Sequence, residues 1–454
     1  MMDETIAALS TAPYAAGIHV IRMSGSRAAE ILKEIFLPVA KTAQFEHGKM
    51  YYGHVTENGV FLDEVYAVSF YAPKSYTGED VVEIQCHGSA ALSGEILRLL
   101  MDHGAVPAEP GEFTKRAFLN GRLDLIQAEA VMDVIGSTAR DASKNALEQL
   151  EGRLSRDIGE LKELLVDVLA NIDVDIDFPE ADVEAVDRKG LAQRLAAALK
   201  KIREMLDTVE RGRVLKEGAR LVICGAPNAG KSSLMNCLLG QERTIVTDIP
   251  GTTRDVIEEA VTVNGIRLRL FDTAGVHDTR DVVESMGIER TKAALQNADL
   301  VLMLIDGAQK TLSEEDRRLL AMTGESNRIV AVNKTDLLPE ERLLKETEAL
   351  AGAFLLISAK SGEGTEALRQ QIYDQVMGKS TGEGVFLTNA RQVHCLRESA
   401  AALEQAMEEM EDGVPLDIAG ISVREGYGRL LELLGEEISD EVVDRIFLSF
   451  CLGK

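Results

Sequence analysis

Three different spacings of apolar residues divide the chain. From residue 1 to about 119, short apolar runs at 17–22, 65–70 and 81–84 predict strands, and an interrupting helix is predicted over 89–101. From about 121 to 212 the period lengthens. Leu147, Leu150, Leu154, Ile158, Leu161, Leu165, Val168, Ile172 and Ile176 recur in steps of three and four, which predicts one face of a single long helix. A break is predicted at Phe178-Pro179, followed by a second helix carrying Leu191, Leu195, Leu199, Ile202, Leu206 and Val209. From about 216 to 380, strand runs at 220–225, 256–263, 266–271, 300–306, 328–333 and 354–358 alternate with helical stretches. Asn264-Gly265 between the second and third run marks a tight hairpin. The remaining alternation predicts βα units on a largely parallel sheet. After Asn389, helices return over 396–410, 427–434 and 442–450. The expected fold is multidomain α/β: an α+β domain over 1–119, a discontinuous helical domain over 120–215 and 381–454, and between its halves an inserted nucleotide-binding domain over 216–380.

Charge sharpens this division. The chain has 454 residues and a formal charge of −26, so it is not a basic nucleic-acid coat, and contact with nucleic acid needs a local basic patch or a basic partner. Residues 1–120 hold 9 basic and 15 acidic residues, 216–380 hold 20 and 25, and the flanking helical segments hold 20 and 35. The helical part therefore carries most of the acidity, which fits either a solvated face or the surface for a basic partner. Five scattered cysteines without a C-x-x-C pair argue against a disulfide framework or cysteine zinc site and fit a reducing compartment. The first residues carry no basic n-region before an apolar run, and no stretch reaches about 18 uninterrupted apolar residues. A cytoplasmic enzyme or switch, without a membrane segment, is the expectation.

The chemistry lies in ordered motifs. Gly225-Ala226-Pro227-Asn228-Ala229-Gly230-Lys231-Ser232 fits G-x-x-x-x-G-K-[ST] between a strand and the helical Ser233-Leu234-Met235. Its backbone N–H groups can wrap phosphate oxygens at a helix N-terminus, Lys231 can reach the β- and γ-phosphates, and Ser232 can ligate Mg²⁺. Asp272-Thr273-Ala274-Gly275 follows another strand, where a carboxylate can hold Mg²⁺ through water and a glycine N–H can meet the γ-phosphate. Asn333-Lys334-Thr335-Asp336 closes a third strand. An Asp carboxylate there accepts both N1–H and N2–H₂ of guanine, a donor pair that adenine lacks, so the nucleotide is GTP rather than ATP. Ser358-Ala359-Lys360 supplies the backbone contact to guanine O6. Between the first two motifs, residues 244–255 include Thr252 and Thr253, of which Thr253 is the candidate to complete the Mg²⁺ shell as a switch.

Val276 stands where Ras-type GTPases keep a water-orienting glutamine, so another group must orient water. Glu284 can reach back from beyond the switch, although the residues alone read it as a solvated loop glutamate. Asp173, Asp175 and Asp177 resemble the start of a calcium loop, but Phe178 occupies the required glycine position, which excludes it. His87 lacks a companion ligand set and reads as structural.

These motifs, together with 247–255, Ser75-Tyr76-Thr77-Gly78-Glu79-Asp80, the run from Pro110 to Asn120 and the terminal Cys451-Leu452-Gly453-Lys454, resemble the MnmE (TrmE) family of tRNA-modification GTPases over essentially the whole chain. The phosphate loop is shared with many GTPases, whereas the amino-terminal signatures and the C-x-G-K tail are far more specific. The resemblance implies a folate-binding amino-terminal domain that makes the protein a homodimer. It also implies a heterotetrameric complex with the flavoprotein MnmG and a carboxymethylaminomethyl or aminomethyl group added to C5 of wobble uridine 34 of certain tRNAs. It implies K⁺-stimulated GTP hydrolysis, with Asn228, Thr247, Ile249 and Thr252 on K⁺, Ser232 and Thr253 on Mg²⁺, and Glu284 positioning the attacking water. A K⁺ at Asn228 falls where an arginine finger's charge would, an effect worth up to ~10³–10⁵ in rate for a finger. The site for 5-formyltetrahydrofolate or a related one-carbon folate is implied at Arg22, Glu83, Arg122 and Lys454, with Cys451 as the functional cysteine. The alternative is an RNA-binding or ribosome-assembly switch similar to Era, which the motifs from 225 to 360 do not separate from it. Such switches usually carry a basic RNA-binding domain, and this chain has no net basic domain.

Overall fold

The computed structural model describes residues 4–40, 44–177, 188–239, 259–272, 295–378 and 384–454. Its contacts divide the chain into two units, one of residues 1–132, 149–199 and 395–454, the other of 133–148 and 200–394.

The first unit contains strands β1 (Ile6–Leu9), β2 (Ile18–Ser24), β3 (Phe36–Pro38), β4 (Met50–Glu57), β5 (Val60–Phe70), β6 (Val81–His87) and β7 (Val106–Pro107), in the sheet order β3-β4-β5-β6-β2-β1-β7. Every pairing is antiparallel except β1 with β7. Alternation decides the faces: on β4, Tyr51 and Val55 point into the core while Met50 and Tyr52 stay exposed. Helices Ala28–Ile35 and Ala90–Asp102 close that core with Ile31, Leu32, Ile35, Ile96, Leu99 and Leu100. In the helical part of this unit, Arg153–Asp177 packs along Leu416–Leu434. Gly420 permits this approach, since a Cβ there would meet Ile172 Cγ2 at 3.1 Å.

The predicted single helix through Leu147 is instead two, Arg140–Leu150 and Arg153–Asp177. Gly152 breaks it with φ +78°, and Gln127 Nε2 donates to the Leu150 carbonyl at 2.9 Å, satisfying a carbonyl at the helix end. Leu147 is accordingly exposed rather than on the buried face. The second predicted helix likewise ends early, at Leu206, and Val209 opens a separate helix, Val209–Glu217. The Phe178-Pro179 break lies outside the described residues.

The second unit is built on β8 (Ala219–Gly225), β9 (Glu259–Val263), β10 (Ile266–Asp272), β11 (Leu300–Asp306), β12 (Arg328–Asn333) and β13 (Leu355–Leu356), in the order β13-β12-β11-β8-β10-β9. All pairs are parallel except β9 with β10. The hairpin turns on Asn264 (φ 47°) and Gly265 (φ 90°), both left-handed as a type I′ turn requires. All seven residues of β11 are buried, as for a central parallel strand covered on both faces. The run predicted over 256–263 is seen from Glu259 onward, its first residues lying outside the description, and the run at 354–358 shortens to two strand residues. The carboxyl ends of β8, β11 and β12 lie side by side, the place where open parallel sheets take ligands.

Candidate functional site

The loop after β8 carries three unusual backbone conformations. Gly225 has φ +156°, Asn228 +65° and Gly230 +96°, followed at once by helix Lys231–Leu239. A Cβ on Gly225 would sit 2.3 Å from the Leu304 carbonyl, so the first glycine lets the loop pass tightly over β11. Lys231 Nζ donates to the carbonyls of Gly225 (2.8 Å) and Ala226 (3.1 Å), which lays its ammonium against the loop's own backbone. Asn228, Ser232 and Ser233 are exposed, while Ala229 is buried. Asn228 and Ser232 bring an amide oxygen and a hydroxyl, the hard donors suited to K⁺ and Mg²⁺. Beneath the loop, burial pushes the Cys224 thiol up to about 12, which leaves it inert.

The Asn333-Lys334-Thr335-Asp336 loop is tied to this cradle. Buried Asn333 donates Nδ2 to the Ala229 carbonyl at 2.8 Å and accepts from the Ala359 N–H at 2.9 Å, so one side chain joins three motifs. Ser358 Oγ donates to Asp336 Oδ1 at 2.7 Å, and Ser361 N–H donates to Ser358 Oγ at 3.2 Å. Asp336 and Lys360 are exposed, so a second carboxylate oxygen is available to a base. Lys334 adopts φ 64° and reaches Asp306 Oδ2 with Nζ at 2.7 Å. Asp306 carried no signal in the sequence beyond its place at a strand end.

Asp272 closes β10, in register with Ile223 of β8. Its side chain, and Thr247, Ile249, Thr252, Thr253, Thr273, Ala274, Gly275, Val276 and Glu284, lie outside the described residues. Among the described residues no group of three or more His, Cys, Asp or Glu side chains could hold a metal, and no helix is long and apolar enough to cross a membrane.

The first unit gathers the other candidates. Arg22 on β2 and Glu83 on β6 face each other in register, and Arg22 donates Nε (2.9 Å) and Nη2 (2.8 Å) to Glu83 Oε1. Arg22 Nη1 also reaches the Gly453 carbonyl at 3.5 Å, and Ser10 Oγ donates to the same carbonyl at 3.0 Å. These bonds bring the end of the chain onto β2. Burial, followed by the Arg22 guanidinium, lowers the Lys454 ammonium from the ordinary lysine value, while Glu83 opposes the shift. Arg22 also lies over the rings of Tyr76 (5.2 Å) and Phe113 (5.7 Å). Arg122 is exposed and donates Nε to the Ser75 carbonyl at 3.1 Å, one residue from Tyr76. Cys451 is an exposed free thiol. Ser10 had no sequence signal, whereas Tyr76 and Phe113 stood inside the amino-terminal signatures.

Those signatures are largely a buried polar joint. Arg116 pairs with Glu79 (3.1 Å) and Glu112 (2.8 Å), and Ser24 Oγ lies 2.7 Å from both Thr77 Oγ1 and Glu79 Oε2. Tyr76 Oη meets Thr114 Oγ1 at 2.8 Å. The joint presses the 75–80 loop onto helix Glu112–Leu119 and fixes the rings beneath Arg22. His87 pairs through Nδ1 with Asp63 Oδ1 at 2.6 Å, which raises the imidazole from its ordinary value.

Residues 5–122 match the family described as the GTP-binding protein TrmE N-terminus, and residues 125–451 match the MnmE helical domain. The tRNA modification GTPase MnmE of Acetivibrio thermocellus is 43% identical over 457 residues, covering 100% of this chain and 99% of that protein. The protein of the same name from Natranaerobius thermophilus is 44% identical over 461 residues, covering 100% of both. Among solved structures, the FeoB G domain of Methanococcus jannaschii matches at 25% identity over 35% of this chain and 97% of that chain, with a TM-score of 0.27. A phosphate loop tied to a guanine-type loop, with two family matches that together span most of the chain, leads to one conclusion: the chain belongs to the MnmE (TrmE) family of tRNA modification GTPases.

Proposed function

We propose that this chain is a K⁺-stimulated, Mg²⁺-dependent GTP hydrolase that acts with MnmG to add a carboxymethylaminomethyl or aminomethyl group to C5 of wobble uridine 34 of certain tRNAs. The one-carbon unit comes from 5-formyltetrahydrofolate or a related folate. The proposed assembly is a cytoplasmic homodimer joined through residues 1–119, with 120–215 and 381–454 as its helical domain and 216–380 as its GTPase domain. In the GTPase domain Lys231 neutralises phosphate charge, Ser232 and Thr253 would ligate Mg²⁺ with Asp272 reaching it through water, and Asn228, Thr247, Ile249 and Thr252 would hold K⁺. A K⁺ held there would supply positive charge where negative charge develops between the β- and γ-phosphates. Thr273, Ala274 and Gly275 line the γ-phosphate, and Glu284 orients water. Asp336 reads guanine, with Asn333, Lys334, Ser358, Ala359 and Lys360 around it.

The observation that carries the folate reading is the meeting of Arg22, Glu83 and the Gly453-Lys454 tail. A folate offers two carboxylates, for which Arg22, Arg122 and Lys454 are matched cations, and a pterin N–H edge, for which Glu83 is an acceptor. Fully buried Phe113 and half-buried Tyr76 lie under the Arg22 guanidinium and hold it in place for an anionic group. Cys451 is placed at the exposed edge of the same tail as a functional thiol. Titration of 5-formyltetrahydrofolate against the intact protein, Glu83→Ala and a chain ending at Phe450 tests this. Binding to the intact protein alone is the expected result. Equal binding by all three, or none by any, overturns the reading. The tRNA reading is checked by the nucleoside at position 34 with and without the protein.

A further inference from the structure

Asp306 is 7% exposed and ends the central strand β11. A buried carboxylate is costly without partners, and this one has two. Oδ1 accepts from the Ala308 N–H at 3.0 Å, and Oδ2 accepts from Lys334 Nζ at 2.7 Å. Asp306 is also in register with Asn333 of β12, and the Gly307 N–H donates to the Asn333 carbonyl at 2.8 Å. The strand end and the guanine-type loop are therefore fixed to one another through backbone as well as side chain. Lys334 has the longest side chain of that loop and a left-handed backbone, φ 64°. A lysine stem loses considerable rotamer entropy when ordered, so something must hold it.

We infer that Asp306 is a positioning residue for guanine-nucleotide binding: it holds the Lys334 ammonium so that the methylene stem stands as a fixed apolar ridge beside Asn333, Asp336 and Ser358. The inference rests on the reading of that loop as the guanine site. With backbone set at one end and ammonium at the other, the stem is ordered before a purine arrives, and the base does not have to order it. Asp306 touches neither base nor phosphate in this role. It acts through Lys334, on ground-state affinity and not on the chemical step.

Asp306→Asn separates the two bonds. A carboxamide has one acceptor oxygen for two donors, so either the Ala308 N–H or the Lys334 ammonium loses its partner. Lys334→Met removes the same pair from the other side while keeping an unbranched stem and leaving the Ala308 bond intact. GDP affinity is measured by calorimetry on the full chain and on both single variants and their double. Each single change is expected to raise the GDP dissociation constant about tenfold, equivalent to about 1.4 kcal/mol. The double is expected to lie within about twofold of the weaker single, because both delete one interaction. Turnover by Asp306→Asn is expected to show raised KM with kcat at saturating GTP within about twofold of the parent. Multiplied losses in the double, unchanged GDP affinity in the singles, or a fall in kcat without a change in KM overturns the role. If Asp306→Asn does not fold, Lys334→Met with unchanged GDP affinity overturns it alone. The guanine reading is checked apart from this by Asp336→Asn. If that variant keeps its preference for GDP over xanthosine diphosphate, the loop is not the guanine site, whatever Asp306 does.

Discussion

A methyl group in place of the Gly230 hydrogen would put Cβ 2.2 Å from Asn333 Nδ2. No rotamer of the incoming side chain relieves this, because Cβ is fixed by the backbone, and φ +96° is itself unfavourable for any L side chain. The atom struck is the donor that holds Ala229 and, through the same amide, Ala359. Gly230→Ala therefore disturbs phosphate and base contacts together, although it lies in the phosphate loop. The cost combines about 1–2 kcal/mol of left-handed strain with about 1–3 kcal/mol for a buried donor left unpaired. GDP affinity is expected to fall roughly 30-fold or more, measured by calorimetry, with the sheet beneath intact by circular dichroism. A loss confined to GTP, with GDP binding normally, would show that Asn333 does not link the two loops. The same reasoning explains Gly453. It has φ +83°, and a Cβ would meet the Leu9 carbonyl at 2.4 Å, so a glycine is needed for the tail to lie against β1 and the start of the following loop.

The β9–β10 hairpin is the element with the clearest coupling to its surroundings. The Asp141 N–H, in the first turn of helix Arg140–Leu150, donates to the Gly265 carbonyl at 3.0 Å, and Tyr373 Oη donates to Asp141 Oδ2 at 3.0 Å. Burial raises the Tyr373 phenol first, and Asp141 raises it further, so Tyr373 stays a donor across the neutral range. Asp141→Ala is expected to cost about 1–2 kcal/mol and Tyr373→Phe about 1 kcal/mol, with the double below their sum. Urea denaturation of the four proteins measures this, and strict additivity would mean that the two side chains do not share a bond. The hairpin itself was legible because Asn264-Gly265 is the residue pair that a turn with two left-handed positions demands. β11 was legible for a related reason, since an unbroken apolar run can be satisfied only by burial on both faces. The end of helix Arg140–Leu150 was not. Leu150 and Leu154 keep a four-residue step across the turn, so the apolar period continues where the helix stops, and only Gly152 marked the place. The phosphate and guanine loops were legible as local strings, each motif complete within a few residues. The Arg22–Glu83 pair with its tail was not legible from spacing, because 431 positions separate Arg22 from Gly453, and only tertiary packing brings the tail onto β2.

A protein of net charge −26 that belongs to a family of tRNA modification GTPases must manage repulsion from a polyanion. Each phosphate neutralised by a lysine or arginine releases counterions, and binding then falls with salt at a slope of about −0.9 per phosphate contact for a duplex. Here the helical segments hold 20 basic against 35 acidic residues, and the amino-terminal 120 hold 9 against 15, so neither offers a long run of net positive surface. Helix Arg188–Leu206 is locally basic in sequence, but Lys189, Lys201 and Arg203 on it already have partners within the chain. The excess of acidic over basic residues opposes the approach of a polyanion within the screening length of about 8 Å at physiological salt. The chain alone is expected to bind tRNA weakly, with a shallow dependence on salt. If the proposed flavoprotein partner supplies the basic surface, adding it should tighten binding and steepen the slope by several units at once, since new phosphate contacts change both together. Filter binding of tRNA from 50 to 200 mM KCl, with and without the partner, reads both quantities. A steep slope for the chain alone would place the phosphate contacts on this protein, and the acidic surface would then need another explanation.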